Sequence, residues 1–428
     1  MASKLNYDCL RIIFEFFDYY NDQDTLFKCL LVNRLWCESA VPYLWKDPFS
    51  IVRLKRENSR KLLTTIISMF PFDESTEYKL KTYKYELTYL NYNQSFYNYL
   101  SFCRIFKFTE FHGFVDKCAR AVPEVSDEGT VSSILLFSTY KIIFERCTEI
   151  RQVKLSSLPK KLVKIQKFNN FSNLCELDIY NSNVIRIFEK LVHVCKNIKK
   201  IKIVTNAFRN SQELVNLFKV QQNLKIVHFL NSLNKCEIIS EELSTQIHSI
   251  EELILKNFVF KQINVLNTLS KLKRLELSFT TCSHQTIAIF QNASCPLLEV
   301  LKFHRDSPPL NVLADFIEKT EGHLQYFYME PYSICLNSDT QVLLRSIAKS
   351  CPKIKSLSTI FNSTEDSSFL KCLLLSCNEL DNFTLVDIEN DYGEMVDQLL
   401  EEQLRINEKW NVRYEKYGNF NRFFIEKA

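Results

Sequence analysis

Fifteen cysteines and seven histidines are the side chains of this 428-residue chain best suited to metal binding or nucleophilic chemistry. Such chemistry needs them to converge, as in C-x-x-C, H-E-x-x-H or the G-x-S-x-G elbow. None of these spacings occurs, and the histidines are scattered. The five glycines, Gly113, Gly129, Gly322, Gly393 and Gly418, lie too far apart for a phosphate-cradling loop, which excludes nucleotide binding by that route. The cysteines read as reduced, buried small hydrophobes of a cytoplasmic or nuclear protein. No catalytic residue, metal or cofactor is expected.

Five of the cysteines share a position that points to the elements around them. Cys147, Cys195, Cys295, Cys351 and Cys377 each stand three residues before an apolar pattern at offsets 0, +3 and +5. The series runs Ile150/Val153/Leu155, Leu174/Leu177/Ile179, Ile198/Ile201/Ile203, Leu224/Val227/Phe229, Ile250/Leu253/Leu255, Leu272/Leu275/Leu277, Leu298/Leu301/Phe303, Leu324/Phe327/Met329, Ile354/Leu357 and Leu380/Phe383/Leu385. Only Thr359 breaks an apolar slot. Offsets +3 and +5 share one strand face because side chains alternate. Starts recur every 22 to 30 residues, a period that fits one strand and one helix. The helices are expected in "NVIRIFEKLVHV", "SQELVNLFKV", "LNVLADFIEKT" and "DTQVLLRSIAKS", where apolar residues fall three and four apart. Phe171, Ile247 and Leu269 fill the cysteine slot in other copies, so the thiols are expected to pack inside.

This pattern resembles the cysteine-containing leucine-rich repeats over residues 147–388. The resemblance implies an α/β solenoid of βα units with a parallel sheet on its concave side. The asparagine expected at offset +8 survives as Asn206 and Asn362, with Ser182, Ser232, Thr280 or Asp306 elsewhere. Offsets +1, +2 and +4 would face the concavity. They offer Lys199, Lys200, Lys202, Lys225, Lys273, Arg274, Lys302, Tyr326 and Tyr328 as substrate-binding residues, beside His228 and Glu276. Such a positive, partly aromatic face suits an acidic or phosphorylated protein.

The N-terminal stretch "KLNYDCLRIIFEFFDYYNDQDTLFKCLLVNRLWCESAVPYLWKDP" holds two of the three tryptophans. It reads as three short helices: Tyr7 to Phe17, a second capped by Asp22 or Asp24, and a third from Asn33 ending before Pro42. Apolar residues surround these helices, as expected where one face packs on the chain and another on a partner. Leu5, Leu10, Ile13, Phe14, Asp24, Leu26, Cys29, Leu30, Val32, Asn33, Trp36, Leu44 and Trp45 fit the pattern L-P, L-x-x-I-F, D-x-L-x-x-C-x-x-V-N-x-x-W and L-W, with Asn6 in place of the proline. The segment resembles an F-box, and Asn6 would loosen its first turn. The resemblance implies docking on the Skp adaptor, and through it on a cullin, with Leu5, Leu10, Ile13, Phe14, Leu26, Leu30, Val32, Trp36 and Trp45 at the interface. The alternative is that both tryptophans close a local core.

The expected organisation is an F-box over 1–48, a mainly helical linker or degenerate first repeats over 49–146, repeats over 147–388, and a capping helix and tail over 389–428. Within 49–146, "SRKLLTTIISMFPF", "SFYNYLSFCRIFKF" and "VSSILLFSTYKIIFERC" read as helices and "EVSDEGT" as a loop. The cap is placed at "EMVDQLLEEQLRINEKW", with Trp410 packing there. No apolar run suggests a membrane span. The net charge of +4 is too small to argue for nucleic acid by itself, and binding through the basic stretch from Arg151 to Lys225 is a less favoured reading. The expected function is a non-catalytic substrate receptor of a ubiquitin ligase; a repeat scaffold or sensor is the alternative.

Overall fold

In a computed structural model the described residues are 5–17, 21–51, 56–86, 98–122, 125–156, 169–180, 185–204, 212–230, 248–256, 266, 269–279, 284–330, 340–361, 367–387, 410–417 and 420–427. The protein is a mixed α/β chain with mostly parallel strands and two compact units, Met1–Ile198 and Lys199–Ala428. No described helix is long and apolar enough to cross a membrane.

The first unit begins with α1 (Tyr7–Glu15), α2 (Gln23–Cys29) and α3 (Arg34–Leu44). Asn6 does not loosen the first turn: its side chain accepts the Cys9 N–H at 2.9 Å and caps α1. Asn33 caps α3 in the same way, accepting the Trp36 N–H at 3.0 Å. The third helix also runs past Pro42, contrary to expectation. Beyond the proline the helical bonding resumes, with Trp45 N–H on the Val41 carbonyl at 3.0 Å. Leu10, Phe14, Leu26, Cys29, Ala40 and Leu44 form the inner core of this module.

Next come α4 (Pro48–Ile51), α5 (Arg56–Met69), α6 (Glu74–Thr82), a 3-10 turn (Tyr99–Phe102) and strand β1 (Ile105–Lys107). After them lie α7 (Phe108–Ala119), α8 (Glu128–Arg146), β2 (Gln152–Leu155), β3 (Glu176–Ile179) and α9 (Ile185–Val194). The expected helix over "SFYNYLSFCRIFKF" is therefore corrected to a turn and a strand. Cys103, Phe106 and Phe108 occupy offsets 0, +3 and +5 and are fully buried, and β1 pairs in parallel with β2, Phe106 opposite Val153. The repeated strand pattern thus starts at residue 103 rather than 147. Residues 98–146 are integral to the unit, not a linker. The "EVSDEGT" loop gives way to α8 at Glu128, where Asp127 accepts the Thr130 N–H at 3.0 Å.

A backbone spine runs beside these strands. The carbonyl at offset +1 accepts two N–H groups from the following unit: Arg104 O takes Arg151 at 2.8 Å and Gln152 at 2.9 Å, and Arg151 O takes Cys175 at 2.8 Å and Glu176 at 3.0 Å. Its first rung lies in the N-terminal module, where Lys46 O accepts Arg104 and Ile105 at 2.9 and 3.0 Å. Beside that rung the buried Lys107 Nζ reaches Asp47 Oδ2 at 2.5 Å and Ser50 Oγ at 2.8 Å. An aromatic core lies behind: Phe49 meets Phe111 at 4.9 Å, Phe106 meets Phe108 at 5.0 Å and Phe111 meets Tyr140 at 4.6 Å between centroids.

The second unit carries parallel strands β4 (Lys200–Ile203), β5 (Ile226–Phe229), β6 (Glu252–Lys256), β7 (Arg274–Phe279), β8 (Val300–Arg305), β9 (Tyr326–Met329), β10 (Ser356–Phe361) and β11 (Asn382–Asp387). Its described helices are α10 (Gln212–Lys219), α11 (His284–Asn292), α12 (Leu310–Glu318), α13 (Thr340–Ser350) and α14 (Ser367–Ser376). Offset +3 forms one register row, Ile201, Val227, Leu253, Leu275, Leu301, Phe327, Leu357 and Phe383, all buried. Thr359 is fully buried too, and its hydroxyl has no hydrogen-bond partner among the described residues.

The terminal element differs from the expected tail. Strands β12 (Trp410–Tyr417) and β13 (Phe420–Lys427) form an antiparallel hairpin, and β13 pairs antiparallel with β11. Phe423 and Ile425 lie opposite Leu385 and Phe383 and extend the buried face. The hairpin therefore covers the edge of β11 that a last repeat leaves open. The expected capping helix, and most of the offset +8 positions, lie outside the described residues.

The shared cysteine slot is internal. Cys147, Cys195, Cys295, Cys351 and Cys377 are all buried and unbridged. Burial pushes the thiols of Cys195, Cys295 and Cys351 up to about 12 and that of Cys377 to about 11, so they stay protonated and poorly nucleophilic. Two of them bond one repeat back to the same slot: Cys195 Sγ to Phe171 O at 3.1 Å and Cys377 Sγ to Cys351 O at 3.6 Å.

Candidate functional site

The N-terminal module has two apolar stripes on α1. Leu10 and Phe14, four residues apart, face inward against Leu26 of α2. Ile12 and Phe16, also four apart, face outward, and Phe16 is 85 % exposed. Around α2 the outward side chains are Phe27, Leu31 and Val32, with Leu31 86 % exposed, and Tyr7 is exposed as well. Six of the thirteen exposed large apolar side chains among the described residues therefore fall between residues 7 and 32. Such clustering on a short segment marks an interaction surface.

This geometry redistributes the nine expected adaptor contacts. Leu10, Phe14 and Leu26 are corrected to core residues: each is almost wholly buried, so none has surface to offer. Leu5, Ile13, Leu30, Trp36 and Trp45 are half-buried around that core, and Val32 is exposed. Trp36 meets the Phe14 ring edge to face at 6.0 Å. Trp45 stacks on Tyr99 at 4.9 Å, which fastens α3 to the turn before β1. The tryptophans thus have local packing roles. Tyr7, Ile12, Phe16, Phe27 and Leu31 were missed, although the double i, i+4 spacing in "CLRIIFEFF" carried the signal.

The second surface is the sheet face of the second unit opposite its buried offsets. Two register rows cross it. One holds Lys200, Ile226, Glu252, Arg274, Val300, Tyr326 and Ser356; the other holds Lys202, His228, Ile254, Glu276, Lys302, Tyr328 and Ser358. The expected positive face is neutralised in part, at Lys225, Lys273 and Arg274. Lys225 Nζ lies 2.6 Å from Glu251, Lys273 lies 3.9 Å from the same residue, and Arg274 Nη2 lies 3.1 Å from Glu276. Carboxylates on the same strand or in the adjacent unit supply the balance, a pairing that the positions of the lysines alone do not reveal.

Glu276 is the hub of the network. Its Oε1 accepts Lys256 Nζ at 2.8 Å and His304 Nε2 at 2.9 Å, and its Oε2 faces Arg274. The bond from His304 leads in holding its carboxyl well below the ordinary range, with Lys256 and Arg274 adding to the effect against the opposing cost of burial. His304 Nδ1 also lies 3.6 Å from Glu330. His228 Nε2 meets Glu252 at 2.7 Å. Burial lowers the His228 pKa, and the Glu252 bond opposes that shift. Lys302 sits with its ammonium 6.0 Å from the Tyr328 ring centroid, while Tyr326 is 41 % exposed. Lys199 is exposed, and Lys200 and Lys202 are half-buried.

The first unit carries exposed apolar side chains on its N-terminal helices, and the second carries a polar, aromatic-edged sheet face. Among the described residues no group of three His, Cys, Asp or Glu is placed to hold a metal ion. No protein-family model matches the sequence, and no curated protein matches it.

Proposed function

We propose that the chain is an F-box/leucine-rich-repeat substrate receptor of a Skp–cullin–F-box ubiquitin ligase. The N-terminal helices dock the adaptor, and the repeat face takes a protein target. The observation that carries this reading is the exposed apolar cluster of Tyr7, Ile12, Phe16, Phe27, Leu31 and Val32 on the module whose sequence fits the F-box pattern. A receptor of this kind contributes proximity, raising the local concentration of target lysines at the conjugating enzyme.

The test is co-purification of the full chain with recombinant Skp adaptor. Wild type retains the adaptor, whereas Phe16→Asp with Leu31→Asp loses it and keeps its thermal unfolding midpoint. Failure of the folded wild-type chain to bind the adaptor rejects the reading. Deleting residues 1–50 is a poorer test, because Lys46 and Asp47 belong to the backbone spine and to a buried ion pair.

A further inference from the structure

The hub at Glu276 leaves one cation over. Lys302 stands opposite Glu276 in the β7–β8 register, yet both Glu276 oxygens are already engaged by Lys256, His304 and Arg274. Among the described residues Lys302 has no carboxylate within ion-pair distance, and its ammonium is held over Tyr328 instead. Tyr326 lies next to Val300 on β9, on the same face, and is the most exposed of the large apolar side chains on the described strands of this unit. A half-buried lysine whose ammonium lies over one tyrosine, with a second tyrosine on the same sheet face, is a ready acceptor for an external anion, because tyrosine supplies rigid contact area while the charge fixes orientation.

We infer that Lys302, Tyr326 and Tyr328 form the recognition point for a carboxylate side chain of the target protein, presented beside an aromatic or apolar residue. The inference rests on the reading that the repeats bind a protein, and it is independent of adaptor docking. A carboxylate fits better than a phosphate. Phosphate recognition in proteins draws on clusters of guanidinium donors, and the arginine on the neighbouring strand in the same two rows, Arg274, is committed to Glu252 and Glu276, while Arg305 of the Lys302 strand lies outside those rows. Glu276 and Glu330 also place negative charge close by, which disfavours a dianion more than a monoanion.

The experiment measures binding of the full chain, without adaptor, to a fluorescent random copolymer of glutamate and tyrosine. A lysine–tyrosine copolymer and a tyrosine-phosphorylated glutamate–tyrosine copolymer serve as comparisons. Wild type binds the glutamate–tyrosine copolymer in preference to both. Lys302→Gln weakens that binding about tenfold, the loss expected for one charge-assisted contact, while Lys302→Arg retains most of it. Lys353→Gln, which removes an exposed charge outside the two rows, changes it less than twofold. Equal losses in Lys302→Gln and Lys353→Gln, or a loss in Lys202→Gln with none in Lys302→Gln, overturn the assignment. Tighter, Lys302-dependent binding of the phosphorylated copolymer overturns the choice of carboxylate. Unchanged melting of Lys302→Gln keeps the result a statement about binding.

Discussion

The N-terminal module and the repeat face expose opposite chemistries. The module leaves Phe16 and Leu31 almost fully in water and satisfies its polar groups through caps such as Asn6 and Asn33. The repeat face exposes few large apolar groups and ties several of its charges to one another, with Glu276 held by three donors. An exposed apolar cluster gains free energy whenever a complementary surface removes it from water. A partly neutralised ionic face gains little from bulk charge and discriminates through the few groups left unpaired. In the receptor proposed above, the first surface would serve one constant partner and the second selection among targets.

The comparison breaks most visibly in the module. Phe14→Ala, which removes an inward ring, should destabilise the first unit by about 3–5 kcal/mol. Chemical denaturation checks it, and a loss below 1 kcal/mol would mean that the inward and outward stripes are wrongly assigned. Phe16→Ala should leave stability within about 0.5 kcal/mol and weaken adaptor binding by about 2 kcal/mol, the scale of an interface anchor. Titration calorimetry separates the two effects.

On the repeat face, Glu276→Gln should cost about 1–3 kcal/mol at neutral pH, since it uncouples three donors at once. Its folded carboxyl is depressed below the ordinary 4.5, so the stabilisation is complete above that value. It declines as pH falls below 4.5 and is gone once pH passes the depressed folded value. The gap between wild type and Glu276→Gln in urea midpoints should thus narrow on acidification. A constant gap between pH 6 and 3 would show that the carboxylate's charge is not what matters. Thr359→Val should stabilise the second unit by about 1 kcal/mol, because it removes a buried hydroxyl with no partner among the described residues. The smallest effect belongs to Lys225→Ala. Its pair with Glu251 is partly exposed, and a change above 1 kcal/mol would show that the face is less solvated than its geometry implies.

Periodicity made the repeated strands legible. The row from Ile201 to Phe383 was visible as offsets in the sequence and is buried in register, because a strand's two-residue alternation survives any arrangement of its neighbours. The strand at Cys103, Phe106 and Phe108 escaped notice. It precedes the next copy by 47 residues, room that α7 and α8 occupy, so it falls outside the 22- to 30-residue period of the others. Apolar composition likewise identified the module's contact set but could not divide it. Leu10 and Phe14 differ from Ile12 and Phe16 only by their rotation about the helix axis, and that rotation is fixed by where α2 and α3 pack.

What the sequence determined alone was therefore whatever depends on local spacing: the alternating strands, the cysteine slot, and an N-terminal segment of three short apolar helices. The tertiary structure decided which charges survive. Glu276 and His304 lie 28 positions apart, and only the parallel register brings them within hydrogen-bonding distance, whereas Arg274 reaches Glu276 along their shared strand. It likewise decided that Lys46 begins the spine and that a β-hairpin covers the last strand, since pairing between distant segments depends on chain packing that no local period encodes.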